Sequence, residues 1–170
     1  MNEVRVAVVM GVSGSGKTTL ARALSVAWGA TFLDADDFHS DEARALMAAG
    51  KPLDDDMRQP WAARIAADLQ CRVADGERVS LAFSGLRRRH RDVLRATALP
   101  LRFLFLRGDA ALIGQRMRQR SGHYMPVSLL DSQFTALEDP ATEGDVVVLR
   151  VDLPPDAQLR LALEALAEPL

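Results

Sequence analysis

The chain has 170 residues, 48% of them hydrophobic and 26% charged, with a formal net charge of −2. That length suits one domain able to bury roughly 70% of its unfolded surface, and the near-neutral charge speaks against a global electrostatic grip on nucleic acid or an acidic membrane. A lone cysteine, Cys71, excludes an intramolecular disulfide framework and a cysteine-based metal cluster.

The first run, Val4–Met10, is apolar and β-branched and reads as a buried strand. Gly11–Gly16 interrupts it, and Lys17–Trp28 reads as a helix closed by Gly29. Thr31–Leu33 is a short strand. Ser40 caps a helix over Asp41–Ala49, Pro52–Gln59 is polar and irregular, and Pro60 opens a long helix to about Asp75. Val79–Phe83 is a third strand and Arg87–Ala98 a basic helix. Leu101–Leu106 is a fourth strand, followed by a helix over Asp109–Gln119, a loop over Ser121–Val127 and a helix over Ser128–Glu138. Val146–Val151 and Asp156–Ala167 complete the series as strand and helix. Such alternation predicts one α/β domain with a mostly parallel sheet covered on both faces. The apolar run near the N-terminus is too short and wrongly flanked for a signal peptide, and no stretch reaches 18 apolar residues. Cytoplasm is the expected location.

Gly11, Val12, Ser13, Gly14, Ser15, Gly16, Lys17 and Thr18 match the phosphate-loop pattern G-x-x-x-x-G-K-[ST], in its required place between strand and helix. Glycines there let backbone N–H groups converge on phosphate oxygens, and the helix behind them adds the positive end of its dipole. Lys17 would reach the β and γ phosphates of ATP, and the Thr18 hydroxyl would ligate Mg²⁺. Of 21 Lys and Arg residues, only Lys17 and Lys51 are lysine. A compact point charge fits inside such a loop where a planar guanidinium does not. Lys51 has no comparable reason in the sequence.

A phosphate loop alone does not separate kinase from ATPase or switch. The guanine-reading tetrapeptide N-K-x-D of GTPases does not occur. Asp34, Asp36 and Asp37 follow the second strand and would face the same crevice as the loop. We assign Asp34 to the Mg²⁺ shell and Asp36 to the acceptor hydroxyl. The plainer reading is a solvated acidic loop. Ser84 and Gly85 follow the third strand, where backbone can approach a substrate closely. The basic segment from Arg87 to Arg91 reads mostly as a solvated face, with Arg88 taken as an acceptor-side candidate. Arg116 and Arg120 share a helical face that leads into the 121–127 loop, suited to clamp a transferred phosphoryl group under a lid. An exposed basic helix is the alternative there. His39 and His123 are loop histidines, of which His39 is taken as substrate-binding.

With these residues in hand, the chain resembles bacterial gluconokinases, the small P-loop type related to shikimate kinase. The carriers beyond the phosphate loop run through Phe32–His39, Met47–Leu53, Arg58–Trp61 and Arg88–Arg95. The most specific are Gly122-His123-Tyr124-Met125-Pro126, Leu129–Phe134 and Leu137–Pro140. The resemblance implies ATP- and Mg²⁺-dependent phosphorylation of D-gluconate at its 6-hydroxyl and a parallel sheet in the order 2-3-1-4-5. It also implies a lid at about 116–140 and a homodimer in many members. Carried over by position, Asp36 resembles the acceptor-side carboxylate, Arg58 an arginine that holds an anionic substrate, and Arg120 the lid arginine near the phosphates. The chain departs from the family at Ala43, Leu46 and Met57 on the acceptor side. A kinase of the same fold acting on another sugar acid or polyol, and an ATP-binding sensor without catalysis, are the competing readings.

Overall fold

The computed structural model describes residues 3–119 and 127–170. Strand β1 (Val6–Met10) is fully buried, as a strand sheltered on both faces must be. It is followed by α1 (Lys17–Trp28), β2 (Thr31–Asp34), a single 3₁₀ turn (Ala35–Phe38) and α2 (Asp41–Ala48). Then come α3 (Asp55–Ala74), β3 (Val79–Phe83), α4 (Arg88–Arg95), β4 (Leu101–Arg107), α5 (Ala110–Gln119), α6 (Val127–Ala136), β5 (Val146–Arg150) and α7 (Pro155–Ala167). All pairings are parallel and the sheet order is β2-β3-β1-β4-β5, as the resemblance implies.

Alternation along β1 divides the core in two. Ala7 and Val9 pack with Leu20, Leu24, Leu104 and Ala162 on one face. Val6, Val8 and Met10 pack with Trp61, Ile65, Leu69 and Phe103 on the other. The chain leaves β1 toward β2 on one side and returns to β4 on the other. The crevice at the carboxyl ends of these strands is therefore the topological switch point where α/β sheets bind ligands. No helix among the described residues is long and apolar enough to cross a membrane.

Two elements differ from the sequence reading. Helix α3 starts at Asp55, five residues before Pro60, so Met57–Gln59 are helical and not irregular. Asp54 caps it, its carboxylate accepting the Met57 N–H at 2.9 Å. Pro60 is tolerated because it lies near the helix start, where its missing N–H costs only the bond to Asp56. This extra turn carries Arg58. The basic helix is shorter than expected, Arg88–Arg95, and its face is not solvated throughout: His90 is 1% exposed and Arg91 is fully buried.

Candidate active site

Three strand ends deliver the site. After β1 the loop Gly11–Gly16 turns under the start of α1. Gly14 sits at φ +79, and a Cβ there would come within 2.5 Å of Met117 Cγ on α5, so only glycine fits both the backbone and the packing. Lys17 Nζ donates to the Val12 carbonyl at 3.0 Å, folding back over its own loop. Burial of that ammonium pushes its pKa down to about 8, against the opposing pull of Asp36 and Asp34. Thr18 is exposed and opens onto the same space.

After β2 the 3₁₀ turn presents Asp36. The Asp34 carboxylate caps this turn by accepting the Asp36 N–H at 3.0 Å. Side chains from the next two helices hold the turn's carbonyls. Arg44 donates to Asp37 O at 2.8 Å, Arg64 to Phe38 O at 2.9 Å and Trp61 Nε1 to Ala35 O at 2.6 Å. The Trp61 ring lies between His39, stacked 4.6 Å away with planes 7° apart, and Phe83 at 5.0 Å. His39 Nε2 lies 3.8 Å from Asp36 Oδ1. Burial pushes the His39 imidazole down to about 4, helped by Arg58, Arg64 and Arg44, so it is neutral at pH 7. Burial also raises both carboxyls: Asp34 with its acidic neighbours adding to the rise, Asp36 against the pull of Lys17.

These groups line one cleft of about 310 Å³ that contains Lys17, Thr18, Asp34, Asp36, His39, Lys51, Arg58 and Ser84. A second cavity of about 350 Å³ lies on the far side of the phosphate loop and is lined by Gly14, Ser15, Arg116, Gln119, Leu153 and Pro155. The structure thus brings the phosphate loop, both aspartates, His39, Arg58 and Ser84 together and puts Arg116 behind the loop. Gly85 is not in the cleft wall. It turns the chain at φ +58, where a Cβ would lie 2.9 Å from Met10 Sδ, and its carbonyl accepts from Arg91 at 2.6 Å. Arg88 is not in the cleft wall either: its side chain is exposed and lies 3.9 Å from Asp92. Arg120 and His123 lie outside the described residues, as does the Gly122–Pro126 stretch.

Four contributors were missed in the sequence. Lys51 lines the cleft; its isolation in an arginine-rich chain was the available signal. Trp61 fixes the Asp36 turn. Gln133 on α6 bonds to Ser13 of the phosphate loop, Oε1 accepting from the backbone N–H at 2.6 Å and Nε2 donating to Oγ at 3.2 Å. Buried Arg91 donates to the Gly85, Leu86 and Glu138 carbonyls and, through Nε at 3.0 Å and through Nη2, to Glu143. That clip ties the loop after β3 to the segment after α6. Glu143 is held below the usual carboxylate range because its bonds to Arg91 and Arg95 outweigh its burial.

A family model described as an AAA domain matches residues 6–140. A gluconokinase of Arabidopsis thaliana is 38% identical, over 98% of this chain and 94% of the plant protein. The thermosensitive gluconokinase of Escherichia coli K12 is 41% identical, over 86% of this chain and 78% of the bacterial one. The crystal structure of a gluconokinase from Sinorhizobium meliloti 1021 superposes with a TM-score of 0.89 at 41% identity, covering 98% of this chain and 94% of that one. A phosphate loop facing an acidic turn across one cleft, and this agreement along nearly the whole length, lead to the same place: the chain belongs to the gluconokinase family of P-loop kinases.

Proposed function

We propose that this protein transfers the γ-phosphoryl group of ATP to the 6-hydroxyl of D-gluconate, giving 6-phosphogluconate. The observation that carries the reading is the composition of the cleft that holds Lys17 and Asp36. The phosphate loop forms one end, Asp36 faces it, and the acceptor half holds two cations, Arg58 and Lys51. No carboxylate among the described residues pairs with either cation within 4 Å. A polyol with one carboxylate matches that set: a guanidinium can take the carboxylate bidentately while the far hydroxyl meets Asp36.

The chain's own groups then divide the work. Lys17 leaves the Val12 carbonyl for the transferred phosphate. Asp36 orients the attacking hydroxyl and accepts its proton, its raised pKa bringing it nearer the working range of a base. Phosphoryl transfer passes through a loose transition state, so this positioning and the surrounding charge supply most of the catalysis. His39, neutral and flat on Trp61, backs the Asp36 carboxylate, and Ser84 adds a hydroxyl to the wall. Thr18 Oγ and the Asp34 carboxylate offer hard oxygen donors on one side of the loop, a set that fits Mg²⁺ completed by phosphate and water. When bound, that ion neutralises charge on the β and γ oxygens. The cavity behind the loop, beside Arg116, takes the nucleoside end. Arg116 and Arg120 serve a lid over about 116–140 that excludes water. A homodimer is carried over from the resemblance, and sedimentation tests the assembly.

The deciding experiment couples ADP release to a panel of acceptors: gluconate, shikimate, glucose and nucleoside monophosphates. Stimulation by gluconate above the others is expected. Equal rates with every acceptor would leave a sensor with basal ATPase, and stimulation by shikimate alone would move the acceptor.

A further inference from the structure

Helix α6 touches both halves of the cleft. Near its middle, Gln133 meets Ser13 of the phosphate loop through the pair of bonds at 2.6 and 3.2 Å. Just past its end, the Glu138 N–H donates to the Leu86 carbonyl at 2.8 Å and its carboxylate accepts the Arg88 N–H at 2.6 Å. Ser13 and Gln133 lie 120 residues apart in the chain, and both line the cleft. A phosphate loop works by offering backbone N–H groups to anionic oxygens. Here one such donor is already taken by a neutral amide oxygen, held in the position of an acceptor. An anionic oxygen forms a hydrogen bond roughly twice as strong as a neutral one, so the two acceptors compete and the anion wins.

We infer that Gln133 is a positioning residue that holds the Ser13 N–H in the manner of a phosphate oxygen and yields that N–H when nucleotide enters. The exchange would register nucleotide arrival on α6, while the Glu138 end stays tied to the acceptor-side loop. The inference rests on ATP occupying the phosphate loop and is independent of which acceptor is used.

The test is calorimetric titration with a non-hydrolysable ATP analogue and Mg²⁺, without acceptor, on wild type, Gln133→Ala and Gln133→Glu. Removing the competing acceptor should lower Kd about two- to tenfold in Gln133→Ala, the worth of one neutral hydrogen bond. The carboxylate of Gln133→Glu should hold the Ser13 N–H harder and raise Kd. Thermal unfolding supplies the second reading. Gln133→Ala should melt lower than wild type without nucleotide, and the gap should close at saturation, because wild type has then lost the same bond. A residue that binds phosphate directly gives the opposite sign in Kd, and one that merely packs α6 leaves Kd unchanged and the gap open at saturation. Weaker or unchanged binding by Gln133→Ala, or a gap that persists at saturation, would overturn the inference. Failure of all three proteins, wild type included, to bind the analogue would overturn the nucleotide reading and this inference with it.

Discussion

The two ends of the cleft are built differently. The phosphate end is continuous in the chain: eight successive residues, Gly11 to Thr18, supply glycine backbone, cation and hydroxyl between one strand and one helix. The other end, which we propose receives the acceptor, is assembled from a 3₁₀ turn, the residues before α3, the first turns of α3 and the loop after β3. Asp36, Lys51, Arg58, Trp61 and Ser84 meet there from across almost fifty residues. A contiguous site depends on local backbone and tolerates distant change. An assembled site depends on the side chains that hold its pieces in register. Substitutions at the two ends should therefore fail in different ways.

The largest effect is expected at the contiguous end. Lys17→Ala removes the one ammonium inside the loop and should lower kcat about a thousandfold or more, the scale of losing a preorganised charge opposite a developing one. The melting temperature should hold, because the Lys17 ammonium bonds only to the Val12 carbonyl of its own loop. Circular dichroism melts alongside coupled turnover check both halves of the statement, and substantial residual turnover would remove Lys17 from the chemistry.

Asp36→Asn probes the assembled end. The side chain keeps its shape but loses its proton-accepting charge, so kcat should fall about a hundredfold or more. Nucleotide affinity should change much less. The turn itself stays held by Arg44, Arg64 and Trp61 through main-chain carbonyls, none of which belongs to the Asp36 side chain. Equal loss of turnover and nucleotide binding would contradict an acceptor role.

The same contrast explains what was legible in the sequence. The phosphate loop, the strand and helix order and the Ser40 cap are local patterns, and all three stand in the structure as read, the cap as a 3.1 Å bond to the Ala43 N–H. The start of α3 was misread because Pro60 looks like a first-turn residue, whereas the stronger signal is Asp54, whose carboxylate accepts the Met57 N–H. Arg91 reads as one more charge in a basic run. Its burial depends on Glu143, some fifty residues away, and on three main-chain carbonyls. No local pattern announces such a partner. Gln133 is hidden in the same way: a polar residue on a helix, given meaning only by the loop it meets.

Acid stability is the next smaller effect and belongs to the acceptor side. His90 is 1% exposed, and its imidazole is pushed down to about 4 by burial, with Arg58, Arg89 and Arg87 adding to the push. It is neutral in the fold and takes a proton near 6.5 once unfolded, so acid favours the unfolded chain. Its contribution is complete above pH 6.5 and is lost as the pH falls toward 4. In urea titrations, wild type should lose stability more steeply than His90→Asn across that window, the difference in slope approaching about 1.4 kcal/mol per pH unit. Parallel curves would mean that His90 is protonated in the fold.

The smallest effect separates the two acceptor-side cations. Arg58 is half-buried, and burial, with Arg87 nearby, lowers its pKa, so an anion that pairs with it relieves an uncompensated charge. Lys51 is exposed at the cleft wall, where water screens it. Arg58→Met should raise the KM for gluconate by about tenfold or more, and Lys51→Met by only about two- to fivefold, with kcat little changed in the second case. A neutral polyol of the same length, lacking the carboxylate, distinguishes charge recognition from packing. Its KM should be the same in wild type and Lys51→Met, because no anion is there to miss the ammonium. High salt should likewise erase much of the Lys51 effect while leaving most of the Arg58 effect, since screening reaches the exposed charge first. If Lys51→Met impairs the neutral polyol as much as gluconate, Lys51 shapes the wall without reading charge, and Arg58 alone sets the preference for an acid.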